Sequence, residues 1–154
     1  MAELVGYDLV VVDSPPSTGG LTRNALAASH YAVVVTEPSL FALRGTAAAL
    51  DAVDAVRSDN LRLQPAGIVV NKLRATSTEH RFRLDELRQE YGSLVLDPAV
   101  PDRTAIQQAE GACVPVQAWR SQGARDVGEA MDDLLDQLLR LPVDQGPLRK
   151  GKLS

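Results

Sequence analysis

Asp13 closes an almost wholly apolar run, Tyr7 to Val12, and opens the segment Ser14-Pro15-Pro16-Ser17-Thr18-Gly19-Gly20. Asn71 and Lys72 close a second apolar run, Ile68 to Val70. A carboxylate accepts hydrogen bonds, an ammonium donates them and a carboxamide does both, so these residues could hold a polar ligand by several edges. Such chemistry needs them on one surface, although nearly sixty positions separate Asp13 from Asn71.

The elements around them supply that surface. Tyr7 to Val12 reads as a buried parallel strand, Tyr31 to Thr36 as a second and Ile68 to Val70 as a third, the last following the turn-forming Pro65-Ala66-Gly67. Leu94 to Leu96 and Val116 to Trp119 are expected as weaker strands, the latter at an edge. Helices are predicted over Leu21 to Ser29, over Phe41 to Arg57 with Leu43, Ala47, Leu50 and Val53 on one face, and over Thr104 to Glu110. A capping box from Thr76 to Glu79 starts another, which ends at Gly92. Val127, Ala130, Met131, Leu134, Leu138 and Leu141 line the last helix. Alternating strands and helices imply an α/β fold, a doubly wound and mainly parallel sheet with helices on both faces. Ligands of such sheets bind beyond the carboxyl ends of the strands, so Asp13 and Asn71-Lys72 are expected on one rim.

Composition agrees with one domain, residues 1–141, followed by a loose basic tail, 142–154. Apolar residues are 45% and charged residues 23% of 154, which excludes disorder as the default. Aromatic residues are only 4%, so Ala, Val and Leu must build the core. No apolar run approaches the roughly 18 residues that span a bilayer, and the lone Cys113 suits a reducing compartment, where it is expected as a small buried hydrophobe. A cytoplasmic protein without membrane contact is expected. The net charge is −4, yet Arg62, Lys72, Arg74, Arg81, Arg83 and Arg88 outnumber Glu79, Asp85 and Glu86 in one stretch.

The run Tyr7-Asp8-Leu9-Val10-Val11-Val12-Asp13-Ser14-Pro15-Pro16-Ser17 resembles the Walker B and switch segment of ParA/MinD partition ATPases. Asn24 to Ala28, Glu37-Pro38 with Phe41-Ala42-Leu43-Arg44-Gly45, Val100-Pro101, Val114-Pro115-Val116 and Trp119 with Ser121 to Ala124 extend the likeness over about residues 5 to 140. The resemblance implies a P-loop NTPase-like fold, ATP and Mg²⁺ as cofactors, and a homodimer or ParA-like partner working with a ParB-type adaptor in plasmid or chromosome partitioning. It makes Asp13 the switch aspartate that orders Mg²⁺ through water, against the plainer role of capping the following helix. Ser14, Pro15 and Pro16 become the switch that senses the γ-phosphate. Asn71 is placed near the adenine edge, Lys72 either along the purine or in solvent, and Pro101 and Asp102 in the loop that wraps the base.

The pattern departs from the family in one large respect. None of the 154 residues forms G-x-x-x-x-G-K-[ST] or K-G-G-x-G-K-[ST]. That loop carries the N–H cradle and the lysine that bind the phosphates, so a chain of this sequence alone is expected to hydrolyse ATP negligibly. Leu73-Arg74-Ala75-Thr76 and Ala105 also miss the basic positions with which many relatives bind DNA, leaving Arg81 and Arg83 as candidates for weak, non-specific DNA contact. Three readings follow: the C-terminal two-thirds of a partition ATPase, a non-catalytic module pairing with a full-length relative or a separate N-terminal fragment, and, more weakly, a relative of dethiobiotin synthetase.

Overall fold

The structure is a computed structural model, which describes residues 7–15 and 19–142. Its elements run α1 (Gly20–Ala28), β1 (Tyr31–Thr36), α2 (Ala42–Arg57), β2 (Gln64–Val70), α3 (Thr78–Tyr91), α4 (Ala105–Gly111) and α5 (Gln122–Leu139), with 3₁₀ turns at Gly92–Leu94 and Val116–Ala118. β1 and β2 are parallel, in register from Tyr31 opposite Gln64 to Thr36 opposite Val70, with α2 as their crossover. Residues 95–101 run parallel along the other side of β2. There Leu96 N–H bonds Ile68 O at 2.9 Å, Val100 N–H bonds Val70 O at 2.8 Å, and Val95 and Pro101 bridge to Ile68 and Leu73. β2 is therefore central, and its side chains divide between two cores as the pleat requires.

On one face Ile68 and Val70 pack with Val34 of β1, Ala42 of α2 and Leu84 and Leu87 of α3. Leu26 of α1 joins Ala32, Val53, Val56 and Leu63 at the margin of that layer. On the other face Val69 and Leu96 meet Ile106 of α4 and Val127 and Leu134 of α5. Helices thus cover both faces of β2, and the parallel α/β architecture expected from the sequence is present. Among the described residues β1 is covered on one face only. Val34 is 9% exposed, whereas its neighbours Val33 and Val35 are 40% and 62% exposed.

Local chemistry explains most boundaries. Ser77 caps α3, its hydroxyl accepting from His80 N–H at 3.3 Å, and Gly92 ends the helix at φ 54°, which glycine adopts without strain. Ser121 caps α5 through Ala124 N–H at 3.1 Å. The cap of α3 therefore lies one residue beyond the expected Thr76.

Four expectations need correction. Tyr7 to Val12 is not a strand: no described segment lies beside it to complete a ladder, and Tyr7, Leu9, Val10, Val11 and Val12 are all exposed. Val116 to Trp119 is not an edge strand, because Ala118 and Trp119 N–H bond back to Pro115 and Val116 carbonyls and close a 3₁₀ turn. Pro65-Ala66-Gly67 is not a turn but lies within β2, where the register shift between Ala32 and Val33 absorbs the irregularity. Cys113 is exposed, not buried, because it takes the left-handed position (φ 55°) that terminates α4. The proposed tail falls largely outside the described residues.

Gly67 carries a specific consequence. At φ 155° a Cβ there would stand 2.6 Å from Leu96 Cγ, inside the core between β2 and α5. Gly67→Ala is expected to lower unfolding free energy by about 1–3 kcal/mol, since neither backbone nor side chain can yield freely. Urea unfolding checks this; an unchanged midpoint would show that Leu96 repacks at no cost.

Candidate functional site

Three chain ends meet at the carboxyl end of the sheet. β1 finishes at Thr36, whose carbonyl accepts from Asn71 N–H at 2.8 Å, so the residue after β2 is fixed to the end of its neighbour. Leu73 N–H donates to Val100 O, and Asp102 N–H to Leu73 O, both at 2.9 Å. These bonds seat Asn71, Lys72, Pro101 and Asp102 within one short rim. The nucleotide-side residues expected from the sequence are therefore brought together.

Two ion pairs tie the same loops. Lys72 Nζ lies 2.5 Å from Glu37 Oε1, and Arg74 Nε lies 2.6 Å from Asp102 Oδ2. The Glu37 hydrogen bond, then its charge, raises the Lys72 pKa above the ordinary lysine value, so the ammonium stays charged throughout the neutral range. Lys72 itself adopts φ 56°, unusual for a residue with a side chain. Asn71 Oδ1 accepts from the Lys72 backbone N–H at 2.9 Å, which orients the carboxamide. Glu37 and Arg74 were not assigned roles from sequence. Only the position of Glu37, directly after a strand predicted to end at Thr36, could have signalled it.

Asp13, Ser14 and Pro15 are exposed and stand outside the two strands, so the sheet register does not carry them to this rim. Thr22 Oγ1 reaches Pro15 O at 3.5 Å, a weak link to α1. Pro16 lies outside the described residues. Arg81 is exposed on α3, while Arg83 is held by Glu86 and Glu79 at 2.7 Å each, which raises its pKa and occupies its fork. Of the two, Arg81 is the better placed for a phosphate.

At this rim the Asn71 carboxamide offers both a donor and an acceptor. The residues that would cradle phosphates are not in this sequence, and the Lys72 ammonium is already engaged by Glu37. Among the described residues no group of three or more His, Cys, Asp or Glu side chains could hold a metal ion. Two concave places elsewhere, between α1 and α2 around Leu26 and beside Asp97 and Asp133, include no rim residue.

Behind the rim, Arg103 Nη2 pairs with Asp126 Oδ2 at 2.9 Å and joins the segment after Pro101 and Asp102 to α5. The Gln122 amide and then Arg103 hold the Asp126 carboxyl below the usual aspartate range. A depressed folded-state pKa stabilises the fold above the unfolded value of about 4, and that contribution disappears as pH falls through the folded value. Asp126→Asn is expected to remove this part of the acid dependence of the melting temperature between about pH 5 and 2. Parallel melting curves of variant and parent in that window would contradict the assignment.

The comparisons with known proteins agree with this fold. A family model described as an AAA domain matches residues 4–65. The chromosome-partitioning ATPase Soj of Thermus thermophilus is 34% identical over 122 residues, covering 77% of this chain and 49% of Soj. The cell division protein PomZ of Myxococcus xanthus is 32% identical over 136 residues, covering 86% of this chain and 43% of PomZ. Among solved structures, cobyrinic acid a,c-diamide synthase from Mycobacterium smegmatis superposes with a TM-score of 0.59 at 29% identity, over 80% of this chain and 44% of the synthase. The chain spans less than half the length of each of these relatives. Among the described residues no helix is long and apolar enough to cross a membrane. With the parallel α/β sheet and the relatives matched over most of its residues, the chain is similar to the ParA/MinD partition ATPases.

Proposed function

We propose that this chain supplies the switch and base-side portions of a partition ATPase whose complete form binds Mg·ATP, dimerises and positions DNA or another cargo with a ParB-type adaptor. The observation that carries the proposal is the rim itself. Asn71, Lys72, Pro101 and Asp102 are seated together at the carboxyl ends of parallel strands, where this sheet type binds ligands. In this reading Asn71 meets the adenine edge, Pro101 and Asp102 wrap the base, and Asp13 with Ser14, Pro15 and Pro16 forms the γ-phosphate switch. Asp13 would hold Mg²⁺ through water, the ion supplying charge neutralisation when bound. Arg81, with Arg83, offers weak and salt-dependent contact to DNA phosphates. The test is ATP turnover by the chain with and without a polypeptide carrying the phosphate loop, together with Asp13→Ala.

The open side of β1 favours a second reading, a non-catalytic module that pairs with a full-length ParA-like protein. The same mixing experiment separates the two: pairing without turnover supports the module.

A further inference from the structure

Resting on the reading that Asn71 meets the base, we infer that Glu37 is a positioning residue that fixes which way the Asn71 carboxamide faces and so selects the purine. The contacts form a chain. Asn71 Oδ1 accepts the Lys72 backbone N–H at 2.9 Å. A half-turn of the amide would set its NH₂ against that N–H, donor against donor, so the carboxamide keeps one face while Lys72 N–H stays where it is. Its place depends on the left-handed backbone of Lys72, φ 56°, which costs free energy in any residue with a Cβ. The Lys72 side chain is in turn clasped by Glu37, from the neighbouring strand end, at 2.5 Å. The clasp offsets the backbone cost, and the backbone sets the amide.

A fixed amide discriminates, because adenine offers a donor at its six position where hypoxanthine offers an acceptor. A carboxamide free to turn serves either base. Glu37 need touch neither base nor sugar to have this effect. Both members of the clasp are more than half exposed, so its influence on the population of the held state is limited to a factor of about five.

The test uses the intact chain and two probes, adenosine and inosine, with affinities read by saturation-transfer NMR, which observes the ligand and tolerates an associated protein. The parent chain is expected to discriminate between adenosine and inosine, and Asn71→Ala to erase the preference. Glu37→Gln should bring the preference down two- to fivefold towards unity, with unchanged far-UV dichroism, and Glu37→Asp should restore part of it. Loss of preference in Asn71→Ala but full preference in Glu37→Gln overturns the positioning role and leaves the base site standing. No nucleoside binding by the parent chain, or binding indifferent to Asn71→Ala, overturns both. A lowered melting temperature in Glu37→Gln with the preference intact shows a merely structural pair and also overturns the inference.

Discussion

In sedimentation velocity the purified chain is expected to run as associated species, and Val35→Lys to shift it towards monomer. Among the described residues β1 has a strand partner on one side only. Its other edge presents backbone N–H and C=O groups, and the outer face beside that edge shows Val33 and Val35. Tyr7 to Val12 adds a second apolar ribbon, with Val11 82% exposed and Asp8 its only charge. Unpaired edges bordered by apolar side chains template pairing with another chain, and a lysine at the edge is the usual deterrent. A polypeptide that supplies a strand neighbour for that edge should suppress the association without any substitution. A monomer with cooperative unfolding, indifferent to such a polypeptide, would show that this face is already protected.

How much of this was legible in the sequence follows from where each hydrogen bond is made. The strand Tyr31 to Thr36 and the helix over most of 42–57 were readable because apolar periodicity and a neighbour close in the chain define both. Tyr7 to Val12 has the same composition and yet is no strand. Composition can state that a segment suits a sheet, but a ladder requires a neighbour, and none of the described residues provides one. Gln64 and Pro65 joined β2 against local expectation because Gln64 N–H bonds His30 O at 2.8 Å, a contact set by tertiary approach and not by turn chemistry.

The site was legible in the same uneven way. Asn71 and Lys72 could be placed on the rim because strand ends of a parallel sheet converge there, Pro101 and Asp102 came only from the family resemblance, and Asp13, expected on the same rim, stands outside the two strands. The order of residues within the rim could not be read. The Glu37 clasp and the Arg74 tie to Asp102 depend on side chains from three different chain ends, and no spacing rule connects residues 35 and 28 positions apart. Cys113 was misread for a related reason. Its hydrophobic character favoured burial, but the left-handed cap of α4 turned it outward.

The second large effect concerns ATP turnover. Phosphoryl transfer depends on positioning and charge stabilisation, which a phosphate loop supplies through its N–H cradle and lysine. This sequence has neither, and the rim lysine is committed to Glu37. The chain alone should therefore release phosphate no faster than buffer. Joined to, or mixed with, a polypeptide bearing G-x-x-x-x-G-K-[ST], it should turn over Mg·ATP, and Asp13→Ala should lower that rate by roughly 10²–10³-fold, the scale expected when one charge-stabilising group is removed. Steady-state phosphate release from these three samples, chain alone, chain with the loop-bearing polypeptide and the same mixture with Asp13→Ala, is the most direct measurement of the central claim. Silence, turnover and near-silence are expected in that order; turnover by the chain alone, or turnover in the mixture that ignores Asp13→Ala, would show that Asp13 is not the switch of such an ATPase.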